Sequence, residues 1–150
     1  MKSITIRPAL LLALALLLCL GLATPALAGG KADIMAGNRA AAAGKFKTAI
    51  SHYTKAIKSG QLSPVNLAVA YNNRGSAYDD LGRRKAALAD FAQAIKISPN
   101  YAEAYYNRSF AYEKMGQPQQ ALADAKRAAR LQPKDETYLQ REYFLATKQK

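Results

Sequence analysis

The side chains best suited to metal binding or nucleophilic catalysis amount to one imidazole, His52, and one thiol, Cys19. One of each cannot supply the four His/Cys ligands of a structural zinc site, and a single thiol closes no internal disulfide. A Ser-His-Asp triad would have to use His52, which stands beside Tyr53 and reads as a surface or packing residue. Asp79 and Asp80 are adjacent on a helix, so their carboxylates point about 100° apart rather than at one substrate. The chain carries no phosphate-binding glycine loop, catalytic carboxylate pair or nucleophile elbow. It therefore reads as non-enzymatic and calls for no cofactor. What remains is charge and hydrogen bonding: 22 Lys+Arg stand against 10 Asp+Glu. With 50% hydrophobic and 21% charged residues, the 150-residue chain is folded rather than disordered, and its length suits one domain.

Residues 1–28 differ from the rest. Lys2 and Arg7 give a basic start, Pro8 to Ala23 carry no charge, and Ala26-Leu27-Ala28 form a small-x-small exit before Gly29-Gly30. This pattern predicts a secretory signal peptide cut after Ala28, and hence an exported, periplasmic mature chain. The alternative is an uncleaved N-terminal helix anchored in the inner membrane, since the apolar run approaches the roughly 18–20 residues that span a bilayer. Cys19 follows Leu16-Leu17-Leu18, whereas a lipid-attachment cysteine normally follows a small residue.

Beyond residue 28 the chain repeats at a period of 34. Tyr71-Asn72-Asn73-Arg74-Gly75 returns as Tyr105-Tyr106-Asn107-Arg108-Ser109, Ala77-Tyr78 as Ala111-Tyr112, and Leu81-Gly82 as Met115-Gly116. Ala87-Leu88, Ala94 and Pro99 return as Ala121-Leu122, Ala128 and Pro133. A weaker earlier copy, Gly44-Lys45-Phe46, Ala49-Ile50, Tyr53 and Ala56-Ile57, lies 38 positions before its counterparts. Fixed-period self-similarity of this kind marks stacked supersecondary units.

Each unit reads as two helices. Small and apolar residues recur at three- and four-residue steps over 68–81 and again over 84–97, with Gly82 between them and Pro99 closing the unit. The four extra residues before the second unit add about one helical turn to a helix opened by Ser63 and Pro64. Residues 136–150 form a closing helix, with Leu139, Tyr143 and Ala146 expected to cover the last unit and Arg141 and Glu142 expected near solvent. In the third unit Ala125 replaces Phe91, leaving a smaller side chain in that layer.

The motif positions resemble the tetratricopeptide repeat: an aromatic at the fourth position (Tyr71, Tyr105), small residues at the eighth (Gly75, Ser109), alanines at the twentieth and twenty-seventh, and proline at the thirty-second. Residues 64–101 and 102–135 resemble two full copies and 29–63 a degenerate first copy, with Asp33 in place of the aromatic. The resemblance implies an all-α fold of antiparallel helix pairs, stacked as a short right-handed α-solenoid with a C-terminal cap. It also implies a concave groove lined by Asn38, then Val69, Asn72, Asn73, Ser76, Asp79 and Asp80, then Glu103, Tyr106, Asn107, Phe110, Glu113 and Lys114. Asn38, Asn73 and Asn107 could hold a peptide backbone, since an amide both donates and accepts. Asn73 and Asn107 are also common residues of the repeat. Tyr106 and Phe110 could clamp an apolar side chain. Relatives that capture a C-terminal carboxylate use basic groove residues; here Ile34, Glu103 and Asn107 occupy those positions, and only Asn38 and Asn73 fit. Asp79, Asp80, Glu103 and Glu113 make the expected groove acidic.

The positive charge falls elsewhere, on second helices and inter-helix turns: Lys45, Lys47, Lys55, Lys58, Arg83, Arg84, Lys85, Lys96, Lys126, Arg127 and Arg130. The leading expectation is an envelope adaptor that binds a protein or peptide segment. The alternative is a scaffold anchored by its N-terminal helix or apposed to an anionic membrane or envelope surface through this basic face. An exported chain rarely meets nucleic acid.

Overall fold

Gly82 and Gly116 adopt φ of 72° and 71°, a left-handed conformation that side chains with a Cβ rarely take. Each lets the chain fold back on the helix just completed. Gly82 N–H donates to Asp79 O (2.8 Å) and Arg83 N–H to Tyr78 O (2.8 Å), and the pattern repeats from Gly116 to Glu113 O and from Gln117 to Tyr112 O. These paired bonds satisfy the last helical carbonyls and end the helix. At the other kind of junction, Ser63 caps a helix by accepting from Asn66 N–H at 3.3 Å, with Pro64 at the first helical position.

The computed structural model describes residues 25–148 and contains seven helices there: α1 Pro25–Ala42, α2 Phe46–Lys58, α3 Pro64–Asp80, α4 Arg84–Ile97, α5 Ala102–Lys114, α6 Pro118–Leu131 and α7 Glu136–Lys148. The α3 helix has 17 residues against 13 in α5, which accommodates the longer first spacing as an added turn. Expectations about residues 1–24, including the apolar anchor and Cys19, lie outside the described residues, while the expected cut after Ala28 falls within α1. Among the described residues no helix is long and apolar enough to cross a membrane.

Each helix packs on its predecessor and its successor, and α1, α3 and α5 also touch in sequence. The core is built largely from alanines with one or two large residues per cluster. Ile34, Ala49, Tyr53, Ala56, Ala70 and Ala77 form the first cluster, Ala87, Phe91 and Ala111 the second, and Ala121, Ala125 and Leu145 the third. Close approach is the reason for Gly75: a Cβ there would lie 2.8 Å from Phe91 Cε1 and 3.2 Å from the Ala87 carbonyl oxygen. Two bidentate forks tie first helix to second. Arg74 donates to both Asp90 oxygens (2.7 and 2.8 Å), and Arg108 does the same to Asp124. Each guanidinium is flanked by two tyrosines, Tyr71 and Tyr78 in one copy and Tyr105 and Tyr112 in the next. These tyrosines are half-buried walls around an arginine rather than wholly apolar core.

The closing helix α7 corrects the expected register. Tyr143 is 73% exposed and Leu139 43%, whereas Arg141 is only 6% exposed. The covering residues are Tyr138, Arg141 and Leu145, spaced three and four apart. Leu139 and Tyr143 occupy positions that, in α3 and α5, face the second helix of the same pair. Among the described residues no such helix follows α7, so they face solvent. Arg141 is drawn inward because Ser109, Phe110 and Glu113 of α5 receive it: Nε donates to Ser109 Oγ at 3.0 Å, Nη1 meets Glu113 Oε2 at 2.8 Å, and the guanidinium carbon lies 3.6 Å from the Phe110 ring centre.

Candidate functional site

The first helices of successive pairs place their expected groove residues in one polar ladder. Asn38 Oδ1 on α1 accepts from Tyr53 Oη (2.8 Å) and from Asn73 Nδ2 on α3 (3.0 Å). Asn72 Nδ2 donates to Asn73 Oδ1 (3.2 Å) and to Glu103 Oε1 on α5 (3.2 Å), while Asn72 Oδ1 accepts from Asn107 Nδ2 (3.0 Å). Asn107 Nδ2 also reaches Ser76 Oγ at 3.4 Å. The ladder satisfies amides at the crossing of three helices, where unpaired polar groups would be costly.

This arrangement revises the role expected of Asn72. It is fully buried and ties α3 to α5 from within, so it does not offer its amide to a ligand. Asn73 uses both its amide nitrogen and its oxygen within the ladder. Asn38 is exposed, and among the bonds described its Nδ2 and the Asn107 Oδ1 have no protein partner.

Ser76, Asp79 and Asp80 from α3 and Asn107, Phe110 and Lys114 from α5 line one cavity of about 180 Å³, with Phe91 at its floor. The expected acidity is largely cancelled there. Asp79 is paired with Lys114 at 2.5 Å and has Arg84 Nε at 3.6 Å. Glu113 is paired with Lys148 and Arg141, both at 2.8 Å. The hydrogen bond from Lys148, aided by Arg141, holds the Glu113 carboxyl below its ordinary range. Asp80 and Glu103 are the exposed carboxylates of the set. Glu103 is oriented by Asn72 and by Tyr101, whose hydroxyl donates to Oε2 at 3.1 Å. Burial, and then the adjacent Glu103 charge, raise the Tyr101 pKa, so the phenol stays a donor.

Tyr106 and Phe110, expected as a clamp, pack edge to face at 5.0 Å. Tyr138 of α7 adds a third ring 5.1 Å from Tyr106. Tyr53, Tyr101, Tyr138 and Arg141 were not signalled as site residues. Tyr53 and Tyr101 reach side chains 15 and 29 residues away, and Tyr138 and Arg141 belong to the closing helix, beyond the two full copies. The Arg74–Asp90 and Arg108–Asp124 forks did carry a signal, a 16-residue separation that recurs 34 residues later. Among the described residues no three His, Cys, Asp or Glu side chains gather as metal ligands.

A curved stack of helix pairs with a polar and aromatic inner face defines a helical-repeat solenoid. Comparison narrows the class: residues 75–116 match the family described as TPR repeat, and residues 102–135 the family described as tetratricopeptide repeat. Residues 75–135 are tetratricopeptide repeats. The Arabidopsis OM64 TPR domain superposes with a TM-score of 0.74 at 27% identity, covering 81% of this chain and 98% of that one. The first TPR of Spaghetti (RPAP3), bound to the HSP90 peptide SRMEEVD, superposes with a TM-score of 0.72 at 25% identity, covering 79% and 91%. Human mitochondrial import receptor subunit TOM70 is 36% identical over 69 residues, which is 43% of this chain and 11% of that protein. The chain thus spans about a tenth of that relative's length.

Proposed function

We propose that this protein is a non-enzymatic adaptor of the cell envelope that holds a partner's peptide segment in the concave face of its solenoid. The observation that carries this function is the cavity between α3 and α5, bordered by Asn107, Phe110 and the Asp79–Lys114 pair, with the Tyr106–Tyr138 rings beside it. A peptide laid there meets an amide oxygen for backbone N–H groups, a slot for a side chain and aromatic walls. The fold neighbour that carries SRMEEVD supports peptide binding by this fold. Envelope location rests on the residue 1–28 pattern, with cleavage near Ala28.

The ligand differs from a C-terminal carboxylate. Ile34, Glu103 and Asn107 supply no cation, and the carboxylate of Glu103 is fixed in place by Asn72 and Tyr101. Phage-displayed random peptides selected on the full chain test the proposal. The expected result is a family of internal, carboxylate-independent segments competing for one site, with no saturable binding of SRMEEVD. Selection of no peptide above background, or of peptides that require a free C-terminal carboxylate, would contradict it.

A further inference from the structure

The second helices α2, α4 and α6 carry two acidic residues in all, Asp90 and Asp124. Both are 6% exposed, and each is spent on a bidentate fork to an arginine of the neighbouring first helix. Lys55 pairs with Asp33 of α1 at 3.3 Å and Arg84 lies 3.6 Å from Asp79 of α3, while the other lysines of these helices are turned the other way. Lys47, Lys85, Lys96, Lys126 and Arg130 are all exposed, with Lys58 at the end of α2. The back of the solenoid is therefore a field of one sign that runs through all three pairs, with its own carboxylates withdrawn into the core. The acid-bearing surface lies on the odd-numbered helices, where Lys114, Lys148 and Arg141 neutralise Asp79 and Glu113 while Asp80 and Glu103 stay exposed.

We infer that this face docks onto the anionic headgroups of a lipid bilayer, leaving the concave groove open to its partner. Three observations select lipid among polyanions. The exposed large apolar residues, Met35, Val65, Leu139, Tyr143 and Phe144, are all on odd-numbered helices, so the basic face offers no exposed Phe or Tyr ring on which a nucleic-acid base could stack. The charges are long, flexible lysines spread along three helices, which suits diffuse headgroup charge better than a fixed fork. The uncharged run from Pro8 to Ala23 takes the chain to a membrane whether it is an export signal or an anchor. Each basic side chain near an anionic leaflet strengthens attachment roughly fivefold, and salt weakens it.

Lysine footprinting of the full chain tests this without depending on whether the N-terminal segment inserts. Acetylation rates are read by mass spectrometry in neutral phosphatidylcholine vesicles and in vesicles with about a third phosphatidylglycerol. Lys47, Lys85, Lys96 and Lys126 should be modified several-fold more slowly in the anionic vesicles, while Lys31 and Lys148 keep their rates. The protection should vanish at about 0.5 M salt. Equal rates in the two vesicle types would overturn the inference. So would stronger protection of the same lysines by polyuridylate at equal phosphate concentration, which would make the face a nucleic-acid surface. As a second measurement, Lys85→Glu with Lys126→Glu should remove the difference between vesicle types while the groove still binds its selected peptide.

Discussion

Leu145 of α7 shares a buried apolar cluster with Ala125 of α6, and the pair reverses the sizes of Phe91 and Ala111 one period earlier. Where the second helix gives up its aromatic ring, the following first helix supplies a leucine in place of alanine. Leu145 is 1% exposed and Ala125 0%. The last junction is thus filled from the opposite side, with Leu145 packed in the layer where Ala125 is the smaller side chain.

The exchange can be run in reverse. Leu145→Ala should cost about 2–5 kcal/mol by opening a cavity. Ala125→Phe alone should cost about 1–3 kcal/mol by overpacking. The double variant should recover much of the loss, read as a non-additive cycle in urea unfolding. Strict additivity would mean the two side chains do not share a space.

Gly75→Leu should lower the melting temperature sharply, because even a single added carbon at this position meets the Phe91 ring and the Ala87 carbonyl. The loss should be at least the ~1–3 kcal/mol typical of overpacking. Thermal unfolding followed by circular dichroism checks it, and an unchanged melting temperature would mean that α3 and α4 do not pack as described.

How much of this was legible in the sequence depends on whether a residue's partner obeys the repeat. Gly75, Ala87 and Phe91 recur with the period or mark it, so the helix pairing followed from spacing. Arg141 and Tyr143 did not. Polarity alone places an arginine outside and a tyrosine inside, but in α7 the arginine has Ser109 and Glu113 to receive it, while the tyrosine lacks a second helix to cover it. Asn72 failed differently: its position faces inward, but its hydrogen-bond partners come from its own helix, from Tyr101 and from α5 together.

Removing one arm of a buried fork should cost more than removing both. Arg74→Met leaves Asp90, 8% exposed in its side chain, without its cation and should cost about 3–5 kcal/mol. Arg74→Met with Asp90→Leu should cost less. Chemical denaturation of the three variants reads the order, and a double variant worse than the single would contradict it.

The Glu113 carboxyl titrates below its ordinary value of 4.5 because Lys148, and then Arg141, hold its charged form. A carboxyl depressed by folding stabilises the native state above its unfolded value. That contribution is lost as pH falls through the lower folded value. Docking of α7 should therefore weaken below about pH 4.5. Amide hydrogen exchange over residues 136–148, measured from neutral to acid pH, should show protection falling in this window. In Glu113→Gln the acid-dependent part should disappear. A pH profile unchanged by the substitution would assign the effect to another group.

Binding in the groove is tested most directly by calorimetric titration of a selected peptide into the full chain and into Ser76→Arg, which places a long side chain in the cavity between α3 and α5. Affinity should fall by roughly tenfold or more, about 1.4 kcal/mol, while the melting temperature stays near that of the parent. Lys85→Glu with Lys126→Glu, on the opposite face, should leave the peptide affinity unchanged. Retained affinity in Ser76→Arg, with loss in the lysine variant, would contradict the concave groove as the working surface.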